Sequence, residues 1–403
     1  MLLRIAWRNI WRSRNRSLVI MASIGLGLWA ALFITAFYNG TVEQRIRSAI
    51  DIETAHIQVH HPYFPQDMDL QYSLPAGQEM ADTIAAMPAT AAVSARVVVQ
   101  GMVASASGSA GVTIIGVDPT AEKTVSGLYR FVREGSYLRS TANPEVLIST
   151  RLMKKLKLST GSKLILTITD AEGNLSSGAY RIVGAYETVN APLDESRVFI
   201  SVRDAAAMAG LGSAVNELAI RLQSDETTDA QVTMLRRRWP GVLVEGWAEI
   251  NPEMQFLVAS FDTMMLVYMA IILLALAFGI VNTMMMAVLE RTREIGMLLS
   301  LGMNKARVFA MISLETLFLV LAGCPAGLLA ALLTIRITGK TGIRLSAFSK
   351  AFSSFGYSDL VFPSITLRQF LLLMVLVVCT AIMAGLFPAR KALSLKPAEA
   401  IRK

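Results

Sequence analysis

The stretch Leu18 to Tyr38 carries no charged residue across 21 positions and is almost wholly apolar. At a helical rise of about 1.5 Å per residue it reaches about 31 Å, the hydrocarbon thickness of a bilayer. Five arginines stand directly before it: Arg4, Arg8, Arg12, Arg14 and Arg16. Arginine resists transfer across a membrane, so the residues ahead of the stretch are predicted to stay in the cytoplasm. The stretch also exceeds the roughly 7–15 apolar residues of a cleavable signal, so an uncleaved anchor is expected.

Three further apolar stretches follow much later, at about Met264 to Leu289, Met311 to Ile335 and Phe370 to Leu386, after more than 200 residues of ordinary polarity. Only 17% of the 403 residues are charged, where a soluble chain carries about a quarter. A mean hydropathy of +0.49 agrees with an integral membrane protein. The formal net charge is +8. This positive charge clusters beside the apolar stretches, so it reads as membrane topology rather than nucleic-acid binding. Lys and Arg favour the flanks shared with the N-terminus, although Arg336, Lys340, Arg344, Lys350 and Arg368 make the last outer loop unexpectedly basic. Both cysteines, Cys324 and Cys379, fall inside apolar stretches, so no disulfide framework is expected.

The predicted fold is a membrane protein with four transmembrane α-helices in a 1+3 layout and a large α/β extracytoplasmic domain between helices 1 and 2. In residue numbers, 1–17 form an amphipathic cytoplasmic helix, 18–38 the first span, and 39–256 the periplasmic domain. Residues 257–289 form the second span with a stalk, 290–309 a cytoplasmic loop, 310–335 the third span, 336–367 a periplasmic loop, 368–389 the fourth span and 390–403 a cytoplasmic tail. Within the large domain, Val97–Val99, Val112–Val117, Val146–Ile148, Leu164–Thr169, Tyr180–Ala185 and Val198–Ile200 read as strands, rich in β-branched residues. Arg151–Leu158 and Thr228–Trp239 read as helices. Two subdomains are expected, one combining about 40–120 with 225–255, the other made of 121–224. In the first 17 residues Leu3, Trp7, Ile10 and Trp11 share one face and Arg4, Arg8 and Arg12 another, the pattern of a helix lying in the membrane interface.

Residues able to carry chemistry are few. Gly339-Lys340-Thr341 imitates the end of a phosphate-binding loop, but Thr334 stands where the first glycine is required and no strand precedes it. The three histidines, His56, His60 and His61, lack an adjacent acidic or cysteine ligand and read as part of a half-exposed strand. No nucleophile elbow, carboxylate pair or metalloprotease signature occurs. No catalytic, cofactor or metal site is therefore expected on this chain. Inside the spans, Glu315 is either a functional carboxylate, one that snorkels to the interface, or the partner of an inner-loop arginine. Asn282 reads as an interhelical hydrogen-bonding group. Gly323, Gly327 and Ala331, and likewise Ala381, Gly385 and Ala389, recur at intervals that let helix backbones approach closely. The inner loop, Glu290 to Met303, predicts a short surface helix with an apolar face, a docking element for a protein partner.

Four features together resemble the FtsX-like, or MacB-type, ABC transporter permeases. They are the opening Ile5-Ala-Trp-Arg-Asn-Ile-Trp-Arg12, the inner loop Arg291-Thr-Arg-Glu-Ile-Gly296 continuing to Leu301-Gly302, the third span beginning near Glu315, and the tail Pro388-Ala-Arg-Lys-Ala392 with Lys396-Pro-Ala-Glu-Ala-Ile-Arg402. Leu299 stands where the family usually carries a basic residue. His56-Ile-Gln-Val-His60, Ile115-Gly-Val-Asp-Pro119, Glu145-Val-Leu-Ile-Ser149 and Gly342-Ile-Arg-Leu-Ser346 are most similar to the lipoprotein-releasing (Lol-type) branch.

The resemblance implies a permease, not itself an enzyme, that works by mechanotransmission in a bacterial inner membrane, with both termini cytoplasmic and the large domain periplasmic. It implies two soluble ABC ATPase subunits, which would bind ATP and Mg, and a second permease copy or paralogue. Membrane lipid, a lipoprotein cargo and a periplasmic carrier complete the expected partners, with no nucleic acid among them. Arg293, Glu294, Ile295, Gly296, Met297, Leu298, Gly302 and Met303 would form the ATPase-coupling helix. Phe33, Phe37, Phe256 and Phe261 would line the place where acyl chains enter. The family also admits an exporter of small molecules or peptides with an adaptor and outer-membrane channel, or a non-transporting regulator of a cell-wall enzyme.

Overall fold

The computed structural model describes residues 2–12, 14–74, 76–139 and 143–393, and of residues 2, 5, 9, 16, 253, 254, 257, 258, 261 and 262 the backbone alone. The tail motif from residue 394 onward lies outside the described residues. Contacts divide the chain into two compact units. One comprises 1–42, 258–344 and 360–403, the other 43–257 and 345–359.

The first unit is helical. Its elements are α1 (Leu2–Arg12), α2 (Arg14–Ser48), α3 (Pro252–Glu290), α4 (Thr292–Ser300), α5 (Lys305–Thr341) and α6 (Leu367–Leu393). Among the described residues, four of these helices are long and apolar enough to cross a membrane, one near the N-terminus and three after the large domain. The 1+3 layout follows. Glycine decides how α2 meets α5. A Cβ at Gly323 would stand 2.8 Å from the carbonyl oxygen of Met21, and one at Gly327 only 2.6 Å from the Cα of Gly25. The two backbones touch, as small-residue spacing allows in a membrane, where no solvent drives apolar helices together. Gly385 of α6 lies in the same way against the side chain of Thr316. Two polar contacts lock the helices in register. Trp29 Nε1 donates to Thr334 Oγ1 at 3.1 Å, and Asn39 Nδ2 to Gln369 Oε1 at 2.7 Å. The α1 helix packs on α5, with Trp7 edge-on to Phe318 at 5.6 Å between ring centroids. Gly339-Lys340-Thr341 forms the last turn of α5, not a loop.

The second unit is built on one sheet, ten-stranded among the described residues. Its strands are β1 (Ile57–His60), β2 (Thr90–Ser105), β3 (Gly108–Val117), β4 (Val132–Gly135), β5 (Glu145–Ser149), β6 (Lys163–Thr169), β7 (Leu175–Tyr186), β8 (Arg197–Ser201), β9 (Glu217–Leu222) and β10 (Leu243–Gly246). The order is β10-β1-β9-β2-β3-β8-β5-β7-β4, with β6 bridging β2 and β7. The expected split does not follow the sheet: β9, from 121–224, lies between β1 and β2, while β3 pairs β8 in parallel and β2 pairs β6, so the two ranges interleave. One hydrophobic core, holding Ile57, Val97, Ile114, Ile148, Leu166 and Ile220, runs beneath both groups.

β1 corrects the half-exposed reading of the histidine segment. All four of its residues are buried, because it is paired on both edges, with β9 and β10. His60 meets a partner from a distant strand at Nε2. His60 Nε2 lies 3.2 Å from Glu217 Oε2, Glu217 Oε1 accepts from Arg96 at 2.8 Å, and Arg96 also holds Glu122 at 2.6 Å. Burial alone would raise the Glu217 carboxyl, but the hydrogen bond from His60 and the charge of Arg96 outweigh it and hold it down at about 2. No group of residues able to hold a metal ion occurs among the described residues.

Candidate coupling site

The α4 helix connects α3 to α5, and its ends are set by local chemistry. The chain leaves α4 through Gly302, whose φ of +90° suits glycine. Met303 N donates to Leu298 O at 3.0 Å and Gly302 N to Leu299 O at 3.2 Å. These two bonds form the closing motif that satisfies the last carbonyls of a helix. Asn304 then starts α5, its Oδ1 accepting from Ala306 N at 3.1 Å. Leu301-Gly-Met-Asn304 is thus a stop followed at once by a start, which places α4 between two long helices in a fixed way.

The two faces of α4 differ sharply. Ile295 and Gly296 are buried, and Leu299 and Met303 pack on the core of the helical unit. Arg293, Met297 and Leu301, spaced by four, share the open face. Met297 is 52% exposed and Leu301 84%. Large apolar side chains held in this way form a patch suited to a protein partner. Leu299, the departure from the family pattern, sits on the inner face, where a hydrophobic residue is at home. The remaining predicted residues divide accordingly: Glu294 and Leu298 are half-exposed, and Gly302 is exposed.

Four alternating charges run through the site. Arg12 Nη2 lies 2.6 Å from Glu294 Oε1, Glu294 Oε2 4.0 Å from Arg291 Nε, and Arg291 Nη1 3.2 Å from Glu315 Oε1. The outer pair is open to solvent, with side chains 65% and 42% exposed, and adds little to stability. The inner pair is shielded, at 15% and 11%. Pairing with a loop arginine, one of the three readings of Glu315, is what the structure shows. Arg291 and Glu315 also border a cavity of about 310 Å³ otherwise walled by Met284, Val288, Ile295 and Met311. The sequence reading left Arg12 and Arg291 out of the site. Arg291 had a signal, since it precedes α4 and lies near the only carboxylate of the third span. Nothing in the sequence brings Arg12 to Glu294, because that contact follows from how α1 docks on α5.

Asn282 does not bridge helices as expected. It is exposed on the outward stripe of α3 with Phe278 and Met286, and makes no hydrogen bond to any described residue. Of the four phenylalanines, Phe33 stacks on Trp29 of the same helix at 5.6 Å. Phe37 is half-buried and Phe256 is 72% exposed. The side chain of Phe261 lies outside the described residues.

Two family profiles match the chain, "MacB-like periplasmic core domain" over residues 17–237 and "FtsX-like permease C-terminal" over residues 266–397. The chain is similar to the lipoprotein-releasing system transmembrane protein LolC of Neisseria meningitidis serogroup B, at 23% identity over 96% of this chain and 94% of that one. It is similar to LolE of Haemophilus influenzae at 24% identity, covering 72% of each. It is also similar to the macrolide export ATP-binding/permease protein MacB of Chlorobium luteolum, at 34% identity over 31% of this chain and 16% of that protein. With the helical layout, the sheet domain and both profiles in agreement, the chain belongs to the FtsX-like, MacB-type family of ABC transporter permeases.

Proposed function

We propose that this permease works by mechanotransmission in a bacterial inner membrane and draws lipoproteins from its outer leaflet. The observation that carries the cargo assignment is the extent of the likeness. Similarity to a lipoprotein-releasing transmembrane protein runs over 96% of the chain, whereas the MacB likeness, though higher in identity, spans 31%. In this reading α4 is the coupling helix. Arg293, Glu294, Met297 and Leu298 meet a separate ATPase that binds ATP and Mg, and Ile295, Gly296, Gly302 and Met303 hold the helix in its seat. The Arg291–Glu315 pair ties that seat to the third span, so motion of the ATPase is passed into α5. Two such ATPases and a second permease copy or paralogue make up the machine, both termini are cytoplasmic, and the sheet domain is periplasmic. Phe33, Phe37, Phe256 and Phe261 border the acyl chains of the cargo, which a periplasmic carrier then receives.

The test is reconstitution in proteoliposomes with a soluble ABC ATPase of the lipoprotein-releasing type and a triacylated lipoprotein. ATP-dependent transfer of the lipoprotein to a soluble lipid carrier is expected. Stimulated ATP hydrolysis without any such transfer would overturn the cargo assignment. Hydrolysis untouched by the permease would overturn the coupling assignment.

A further inference from the structure

The basic outer loop has a partner within the α/β unit. Residues 345–359 pack there, closed on themselves by Leu345 N donating to Asp359 O at 2.7 Å. Gly356 seats the loop. It is buried at φ +73°, and a Cβ there would stand 3.0 Å from the guanidinium carbon of Arg45. Arg45 is itself fixed by Glu53 at 2.8 Å, with both side chains more than nine-tenths buried. The loop is therefore a built wall.

Between the loop helix Ser349–Ser354 and the segment Glu187–Ala191 lies a cleft of about 650 Å³. Arg133, Arg151 and Lys350 line it, and so do Glu187, Glu195 and Asp359. Arg133, Lys350, Glu195 and Asp359 make no ion pair or side-chain hydrogen bond with any described residue. Arg151 approaches Asp194 only to 3.8 Å, and its Nε is buried without a hydrogen-bond acceptor. Asp194 is already committed to Thr188 Oγ1 and N. Unpaired Arg133 and Lys350 and unpaired Glu195 and Asp359 thus face one cleft, an arrangement that neither a simple anion nor a simple cation satisfies. A ligand carrying both charges a few bonds apart does, with oxygens for guanidinium groups and N–H donors for carboxylates.

We propose that this cleft binds a phosphoethanolamine group, its phosphate held by Arg133, Arg151 and Lys350 and its ammonium by Glu187, Glu195 and Asp359. In sequence the loop is bounded on both sides by membrane helices, with seven residues between Thr341 and Ser349 and seven between Asp359 and Leu367. A phospholipid headgroup is the source nearest to hand, and soluble phosphoethanolamine carries the same chemistry. The site is independent of the cargo assignment.

The test uses the full chain, delipidated in detergent and titrated with phosphatidylethanolamine or phosphatidylglycerol under native mass spectrometry. Phosphatidylethanolamine is expected to bind about tenfold more tightly, the worth of one charge-assisted contact. The double variant Arg133→Gln/Lys350→Gln, at exposed positions, should weaken that binding about tenfold or more with the unfolding midpoint unchanged. Glu195→Gln/Asp359→Asn should abolish the preference between the two lipids. Competition by O-phosphoethanolamine would support the site with a soluble source, and its failure to compete would support the lipid. Equal binding of both lipids by the unaltered chain, or a preference that neither double variant changes, would overturn the proposal.

Discussion

Gly327→Ala tests whether direct backbone contact holds α2 against α5. The new Cβ would stand 2.6 Å from the Cα of Gly25, where unstrained carbons rest about 3.5–4.0 Å apart. The helices must part by about 1 Å, which loosens the contacts of Ile24, Leu28 and Val320 in the same core. Overpacking of this kind costs about 1–3 kcal/mol. Alanine recovers up to about 1 kcal/mol of that through its better helix propensity. Gly279→Ala on α3 is the matched control. Nothing lies within 4 Å of its Cβ, so only the propensity gain remains. The two variants should therefore differ in stability by about 1–3 kcal/mol, with wild type up to about 1 kcal/mol below Gly279→Ala. At about 2–4 °C per kcal/mol for a unit of this size, that is a gap of about 2–12 °C. Unfolding followed by tryptophan fluorescence in one detergent measures it, with Trp29 beside the crossing as reporter. If Gly327→Ala melts at or above Gly279→Ala, the glycine contact does not hold these helices.

Three further outcomes are expected. Glu315→Gln keeps the shape of the site but removes the charge of the nearer of the two carboxylates beside half-buried Arg291, so permease-stimulated ATP hydrolysis by the reconstituted complex should fall severalfold with membrane insertion intact; wild-type hydrolysis would make the pair a passive contact. Gly296→Pro inserts a proline into the middle of α4, at a cost of about 3 kcal/mol to that helix, and should abolish the stimulation; unchanged stimulation would remove α4 from the coupling path. Glu217 is held at about 2 by His60 and Arg96, below the roughly 4.3 of an unfolded chain. Its contribution is complete above the unfolded value and disappears as pH falls through about 2, so the unfolding midpoint of Glu217→Gln should approach that of wild type between those limits; a gap constant from pH 5 to pH 2 would contradict the depressed carboxyl.

Much of this molecule could be read from composition and spacing. Leu18 to Tyr38 and the three later apolar stretches are helices because the only way to place that length of backbone in hydrocarbon is to satisfy its hydrogen bonds internally. Val97–Val99, Val112–Val117 and Val146–Ile148 lie in strands, since β-branched residues crowd a helix and fit a pleated sheet. The short helix expected within Glu290 to Met303 is α4, ended by Gly302 and followed by the Asn304 cap, because helix caps depend on neighbours in sequence.

Other features depend on partners far apart in the chain, and there the sequence was silent or misleading. The alternation of His56 to His61 reads as half-exposed until Glu217, itself held by Arg96, arrives from another strand to meet the buried Nε2 of His60. Asn282 promises a bridge between helices, but only the packing of α3 decides which stripe faces outward, and it leaves Asn282 there. Arg12 reaches Glu294 across 282 positions, and the cleft beside Ser349–Ser354 joins residues separated by more than 200. Hydropathy and capping act over one helical turn or one bilayer thickness, so the sequence alone determined the spans, several of the strands and the short helix α4. Which charges find one another depends on how those elements pack, and only the tertiary structure decided it.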